Sequence, residues 1–117
     1  MTKIADPASY FENLGGLHDA RVEEFIWLKD NSRITICVDD VNSNSLNLPG
    51  HVALAGKVVF EEIHSLDAEL HIDDSSLSIY DLVAETKGGK LYVSISFSPF
   101  GKMSFVCANV VVHEEAS

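Results

Sequence analysis

Histidine, cysteine, serine and paired acidic residues are the side chains through which this 117-residue chain could do chemistry, and their spacing limits what that chemistry can be. The five histidines, His18, His51, His64, His71 and His113, show no HExxH or HxH spacing and no paired cysteines beside them. The tetrahedral ligand set of a zinc site is therefore not expected. His64 and His71 would meet only if their segments paired as a hairpin around Ser65–Leu66, with Asp67, Glu69, Asp73 and Asp74 nearby; a solvated polar strand face is the simpler reading. Cys37 and Cys107 lie in β-branched stretches, where thiols serve as small core hydrophobes, and neither opens a helix that would activate it. Ser94, Ser96, Ser98 and Ser104 lie outside any GxSxG elbow. Gly88-Gly89 reads as a hairpin turn, because no helix follows to offer its N-terminus to a phosphate. No catalytic residue, metal ligand set or cofactor is assigned.

His18 is the histidine with the most to say. It follows Gly15-Gly16 at the junction of a short helix and the first strand. If Leu17–Leu28 is extended, His18 shares the parity of Ala20, Val22, Ile26 and Leu28, which predicts a buried ring. Asp19 then points to the opposite face, and the hydrogen-bond partner of the imidazole lies elsewhere. A satisfied structural histidine is the first reading, and a base acting with a nearby carboxylate the second.

Sequential acid pairs occur at Glu23-Glu24, Asp39-Asp40, Glu61-Glu62, Asp73-Asp74 and Glu114-Glu115. Neighbours on a strand point to opposite faces, so such pairs do not make catalytic dyads. Asp39, Asp40, Glu61, Glu62, Asp67, Glu69, Asp73 and Asp74 are instead expected to gather into an acidic surface for a protein partner, the alternative being a solvated sheet face. Trp27 and Phe100 are the apolar anchors such a surface would use. Trp27 shares parity with Phe25, opposite Ile26 and Leu28, so both faces of that strand carry large apolar groups. Either the strand is covered on both sides or its aromatics await a partner.

Eight Lys+Arg against eighteen Asp+Glu give a formal charge of −10. Affinity for nucleic acid or for anionic membranes comes from basic side chains, so both partners are disfavoured. Acidity keeps a protein dispersed, and it also speeds encounter with basic partners.

The elements that must position these residues form one domain, residues 1–117. Its 46% hydrophobic content suits a globular chain. No apolar stretch approaches the roughly 18–20 residues of a membrane span, and the N-terminus lacks the apolar core of a secretory signal. A soluble, cytoplasmic protein is expected. Asp6-Pro7 caps and opens a short helix that Gly15-Gly16 ends. Strands are expected over Leu17–Asp30, Ile34–Val41, His51–His64 with a bulge or bend at Gly56, Leu66–Ile72, Leu77–Thr86, Leu91–Ser98 and Met103–Val112. Asn42–Gly50 is the longest loop, and Tyr80–Glu85 is also compatible with a helical turn. In Leu91–Ser98 the alternation is clean, with Leu91, Val93, Ile95 and Phe97 on one face and Tyr92 and serines on the other. The fold class is α+β: a short N-terminal helix, then a mainly antiparallel, strongly curved sheet of about seven strands ending in a β-meander.

The segment Tyr10-Phe-Glu-Asn-Leu-Gly-Gly-Leu-His-Asp-Ala-Arg-Val, followed by strands and the closing SFVCANVVV, resembles small uncharacterised bacterial α+β proteins. Some of these are grouped with the immunity proteins of polymorphic toxin systems. The likeness is centred on Leu17-His18-Asp19-Ala20 with Val22. It implies a non-enzymatic, protein-binding role and assigns no catalytic residue. The leading expectation is an immunity-type inhibitor presenting an acidic surface to a basic toxin. The alternatives are a small enzyme or ligand binder using His18 with a carboxylate in a sheet pocket, and a homo-oligomeric structural subunit, such as a homodimer, with Phe25 and Trp27 in a two-fold interface.

Overall fold

The structure, a computed structural model, describes residues 2–41, 54–70 and 77–115. Helix α1 spans Pro7–Asn13. Asp6 caps it by accepting the Ser9 amide N–H at 3.3 Å, and the Ser9 hydroxyl donates to the same carboxylate at 3.0 Å. Pro7, with no N–H to leave orphaned, occupies the first position. Seven residues do not make a stable helix alone, and α1 is held by burying Phe11.

The strands are β1 Thr2–Lys3, β2 Arg21–Leu28, β3 Arg33–Val38, β4 Ala55–Glu61, β5 His64–Leu70, β6 Leu77–Lys87, β7 Lys90–Ser98, β8 Gly101–Cys107 and β9 Asn109–Glu115. They form one antiparallel sheet in the order β1-β9-β4-β3-β2-β6-β7-β8-β5, with β5 and the two-residue β1 at its ends. The α+β class and the meander β6-β7-β8 match the sequence reading, but among the described residues there are eight full strands plus β1 where about seven were expected. The single stretch read as Met103–Val112 is two strands, β8 and β9, broken at Ala108. The stretch read from Leu17 becomes a strand only at Arg21, and Leu77–Lys87 is extended throughout, with an irregularity between Ile79 and Asp81 in place of a helical turn. The Asn42–Gly50 loop lies outside the described residues.

The register explains the architecture. Ala55 to Glu61 pair with Glu115 to Asn109, and the same ladder resumes as His64 to Leu70 against Val106 to Gly101. Chain 55–70 and chain 101–115 are thus one ribbon with a corner at Glu62–Ile63 and Ala108. At the corner Ile63 donates its N–H to the Ser32 carbonyl at 2.9 Å, and Ala108 donates to the Glu61 carbonyl at 3.0 Å. The ribbon links one half-sheet, β9-β4-β3-β2, to the other, β6-β7-β8-β5. The halves also join where Arg21 pairs with Ser78 and Val22 with Leu77.

Alternate residues from both halves share one core: Ile34, Ile36, Val58, Phe60 and Val110 from the first, and Ile79, Leu82, Val93, Ile95, Met103 and Phe105 from the second. Phe60 lies at its centre, stacked on Phe11 with centroids 6.3 Å apart and edge-on to Phe105 at 5.0 Å. Gly56 makes no bulge: a β-carbon there would come within 2.7 Å of Val41 Cγ1, so the residue is small because Val41 crosses it. No helix among the described residues is long and apolar enough to cross a membrane.

Neither cysteine forms a disulfide; Cys37 is half-buried and its thiol donates to the Glu24 carboxylate at 3.7 Å, and Cys107 is buried. Burial pushes the Cys107 thiol up to about 12. A thiol reagent is therefore expected to consume one equivalent on the native protein, at Cys37, and the second only on unfolding; two equally fast equivalents would contradict the buried position. Tyr10 is raised in the same direction, by burial and then by Glu114. An unfolded thiol titrates near about 8.5. Above that value the unfolded chain loses a proton that the native state still holds, so stability falls as pH rises from about 8.5 toward the raised native values. Denaturant midpoints across that range measure the loss.

Candidate functional site

Between α1 and β2 the backbone is tightly wound. Gly15, Gly16, Leu17 and Asp19 have φ of 66°, 67°, 56° and 71°. The two residues that are not glycine each cost on the order of 1–3 kcal/mol in that region, so the surroundings must over-determine them. They do: Leu17 is buried in the core, Asp19 donates its N–H to the Ile79 carbonyl at 2.8 Å, and Ile79 donates back to the Ala20 carbonyl at 2.8 Å. The turn is thereby fastened to β6.

This turn overturns the parity argument for His18. Positive φ values interrupt the two-residue alternation, so the ring is half-exposed rather than buried. Its Nδ1 lies 2.6 Å from the Tyr80 carbonyl, which can only accept, so Nδ1 carries the proton. The ring meets Tyr80 edge-on at 5.3 Å. Asp19 is on the same side after all, with its carboxylate 3.5 Å from Nε2.

Beside the turn, α1 and β6 enclose a depression of about 280 Å³. Its lining is apolar, from Ala8, the two glycines, Leu82 and Val83 among others, with two charged groups, Glu12 and Asp81. Both are acidic. His18 is not part of this lining.

The outer face of the second half-sheet continues from there. Its register lays out three rows across β6, β7, β8 and β5: Asp81-Ser96-Lys102-Glu69, Val83-Ser94-Ser104-Asp67 and Glu85-Tyr92-Val106-His64. Tyr80, Val83 and Tyr92, 59%, 53% and 43% exposed, are three of the large apolar side chains left open to solvent. At the hairpin tip Lys87 pairs with Glu85 at 3.7 Å and lies 5.8 Å from the Tyr92 ring centroid. Sequence reasoning placed Tyr92 on the polar face of β7 but did not select it. Tyr80 and Val83 carried no such signal, because the irregularity after Ile79 shifts the alternation of β6.

Among the described residues, the acids singled out from sequence occupy separate parts of the sheet. Asp39 accepts the Arg21 amide N–H at 2.8 Å, and Asp40, buried, accepts that of Leu54 at 3.1 Å. Both follow the end of β3. Glu61 lies near the start of β3, where it pairs with Arg33 at 3.4 Å. Six residues of strand separate the two groups, roughly 20 Å at about 3.3 Å per residue. Glu62 is exposed at the ribbon corner, with φ 57°, and Glu69 is exposed on β5. Asp73, Asp74, His51 and His71 lie outside the described residues. Trp27 is 40% exposed opposite Ile34, and Phe100 is 53% exposed in the turn between β7 and β8. Among the described residues no group of three or more His, Cys, Asp and Glu could hold a metal ion.

No family model matches the chain, and no curated protein matches it. A solved structure, that of an uncharacterized protein from Neisseria gonorrhoeae, is similar with a TM-score of 0.53 over 86% of this chain and 93% of that one, at 10% identity. The likeness is one of fold.

Proposed function

We propose that this chain is a protein-binding domain acting in the cytoplasm, and that it takes a basic partner on the outer face of β6 and β7 with the adjoining Gly15–Asp19 turn. One observation carries the reading: Tyr80 and Val83 stand exposed on β6, Tyr92 of β7 is exposed one row beyond Val83, opposite Glu85, and the acids along this face and the adjoining depression are Asp81, Glu85 and Glu12. Exposed aromatics supply the few contacts that dominate an interface, and unlike charge speeds the encounter. A strained backbone next to a depression is also where binding residues are often found. Two cysteines without a disulfide suit a reducing compartment.

The sharper form of the proposal is an immunity-type inhibitor masking the active site of a basic toxin, which rests on the resemblance around Leu17-His18-Asp19-Ala20. Use of His18 as a base gains no support, since the adjacent depression is lined by Gly15 and Gly16 and not by the imidazole. The expected result is a one-to-one complex with a basic protein by native mass measurement. Tyr80→Ala is expected to weaken it by at least about 2 kcal/mol, roughly 30-fold in Kd, with the folded stability little changed. For the inhibitor form, expression of that partner alone arrests growth and co-expression of this chain relieves the arrest. A partner harmless by itself sinks the inhibitor form, and binding indifferent to Tyr80→Ala sinks the proposed face.

A further inference from the structure

Basic side chains are scarce in this chain, eight against eighteen acids, so a place where two of them meet without an acid stands out. A depression of about 340 Å³ lies between the segment that follows β1, the β6–β7 hairpin tip and the β8–β9 corner. Small-molecule sites have volumes of roughly 300–1,000 Å³. Its described lining includes Lys3, Lys90, Thr86 and Asn109, with Ile4 and Leu91 as apolar walls, and no acidic residue. The sign is opposite to that of the depression beside α1, which Glu12 and Asp81 line. Among the described residues, the side chains of Lys3, Lys90, Thr86 and Asn109 make no hydrogen bond or ion pair. The acids next to this lining along the chain or across a strand pair are already engaged: Asp6 caps α1, Glu61 pairs with Arg33, and Glu85 with Lys87. The described flanks of segments 42–53 and 71–76 lie at the other ends of these strands. Ala55 pairs with Glu115, at the opposite end of β9 from Asn109, and Ser78 pairs with Ser98, at the opposite end of the β6–β7 hairpin from Thr86 and Lys90.

We infer that this depression binds the phosphate group of a small phosphomonoester with an apolar body, and this does not depend on the function proposed above. Two ammonium groups match a dianion, and the Thr86 hydroxyl and Asn109 amide are further donors for its oxygens. Both basic residues are lysines, which hold phosphate as point charges, whereas the planar fork that suits a carboxylate belongs to arginine. Ile4 is half-buried and Leu91 buried, so apolar surface lies beside the charges for the body of the ester. The formal charge of −10 repels dianions in general, so binding here requires these lysines rather than the field of the whole protein.

The test titrates the purified full chain with phenyl phosphate and follows backbone amides by NMR, above the second phosphate pKa of about 6. Saturable shifts are expected at Lys3, Ile4, Lys90, Leu91 and Asn109. Lys3→Gln and Lys90→Gln are each expected to weaken binding about tenfold or more, since each removes a charge-assisted hydrogen bond. Lys102→Gln, which changes the formal charge equally but lies on the outer face of β8 opposite Ser96, is expected to leave binding unchanged. Inorganic phosphate is expected to bind more weakly than the ester, and phenol not at all. No saturable shift at these amides overturns the inference. So does equal weakening by Lys102→Gln, inorganic phosphate binding as tightly as the ester, or binding of phenol alone.

Discussion

Gly16→Ala is expected to destabilise this protein by about 3 kcal/mol or more, enough to abolish a large part of a typical domain's stability. Two independent costs add. Gly16 has φ of 67°, a conformation that alanine adopts only under strain. A β-carbon there would also collide with the Asp81 carboxylate and come within 3.1 Å and 3.2 Å of the Leu82 backbone nitrogen and oxygen. The side chain of Asp81 can swing away, but the backbone of β6 cannot, since Leu82 is part of the core. The turn would have to lift off β6, taking α1 with it. Chemical denaturation measures the effect as a lower midpoint. Gly88→Ala and Gly89→Ala at the hairpin tip, where nothing lies within 4 Å of the added carbon, are expected to cost only the φ strain. A Gly16→Ala midpoint no lower than theirs would mean that the turn is not packed on β6 as described.

Phe60→Ala is expected to cost about 3–5 kcal/mol. The ring is fully buried, and it is the side chain on which α1 and both half-sheets converge, through Phe11 and Phe105. Deleting it removes apolar burial and leaves a cavity that neighbours on three elements must collapse to fill. The helix is then expected to lose its seat first, because seven residues have no helical stability of their own. Hydrogen exchange separates the two effects: amides of α1 should lose protection beyond the global decrease. Uniform loss across helix and strands would place the helix's anchorage elsewhere than on Phe60.

Much of this fold was legible where local chemistry decides structure. Asp6-Pro7 announced α1, and the alternation of Leu91–Ser98 gave β7 its buried and open faces, as the exposure of each residue bears out. Reading failed where distant parts of the chain decide. Leu17 and Asp19 adopt positive φ because the core and β6 hold them, which no local propensity announces, and the face assigned to His18 went wrong with them. Ala108 divides a stretch that reads as one strand, because the ribbon turns a corner there. Asp39 and Asp40 look like surface charge in sequence, yet each accepts a backbone N–H from a segment at least 14 residues away. For the candidate site, the motif that carried the resemblance lies in the turn fastened to β6, while the exposure of Tyr80, Val83 and Tyr92 became visible only once the register of β6 was known.

The central claim is that this open face, rather than the protein's overall acidity, selects a partner. It is tested most directly by capturing proteins from the source organism's extract on tagged wild type and on a Tyr80→Ala/Asp81→Asn variant of verified fold, at matched salt, with quantitative mass spectrometry of both eluates. That variant changes the formal charge by one unit only, so non-specific attraction to an acidic protein should be nearly the same for both. The account predicts one basic protein retained stoichiometrically by the wild type and lost from the variant. Eluates that match protein for protein would contradict it.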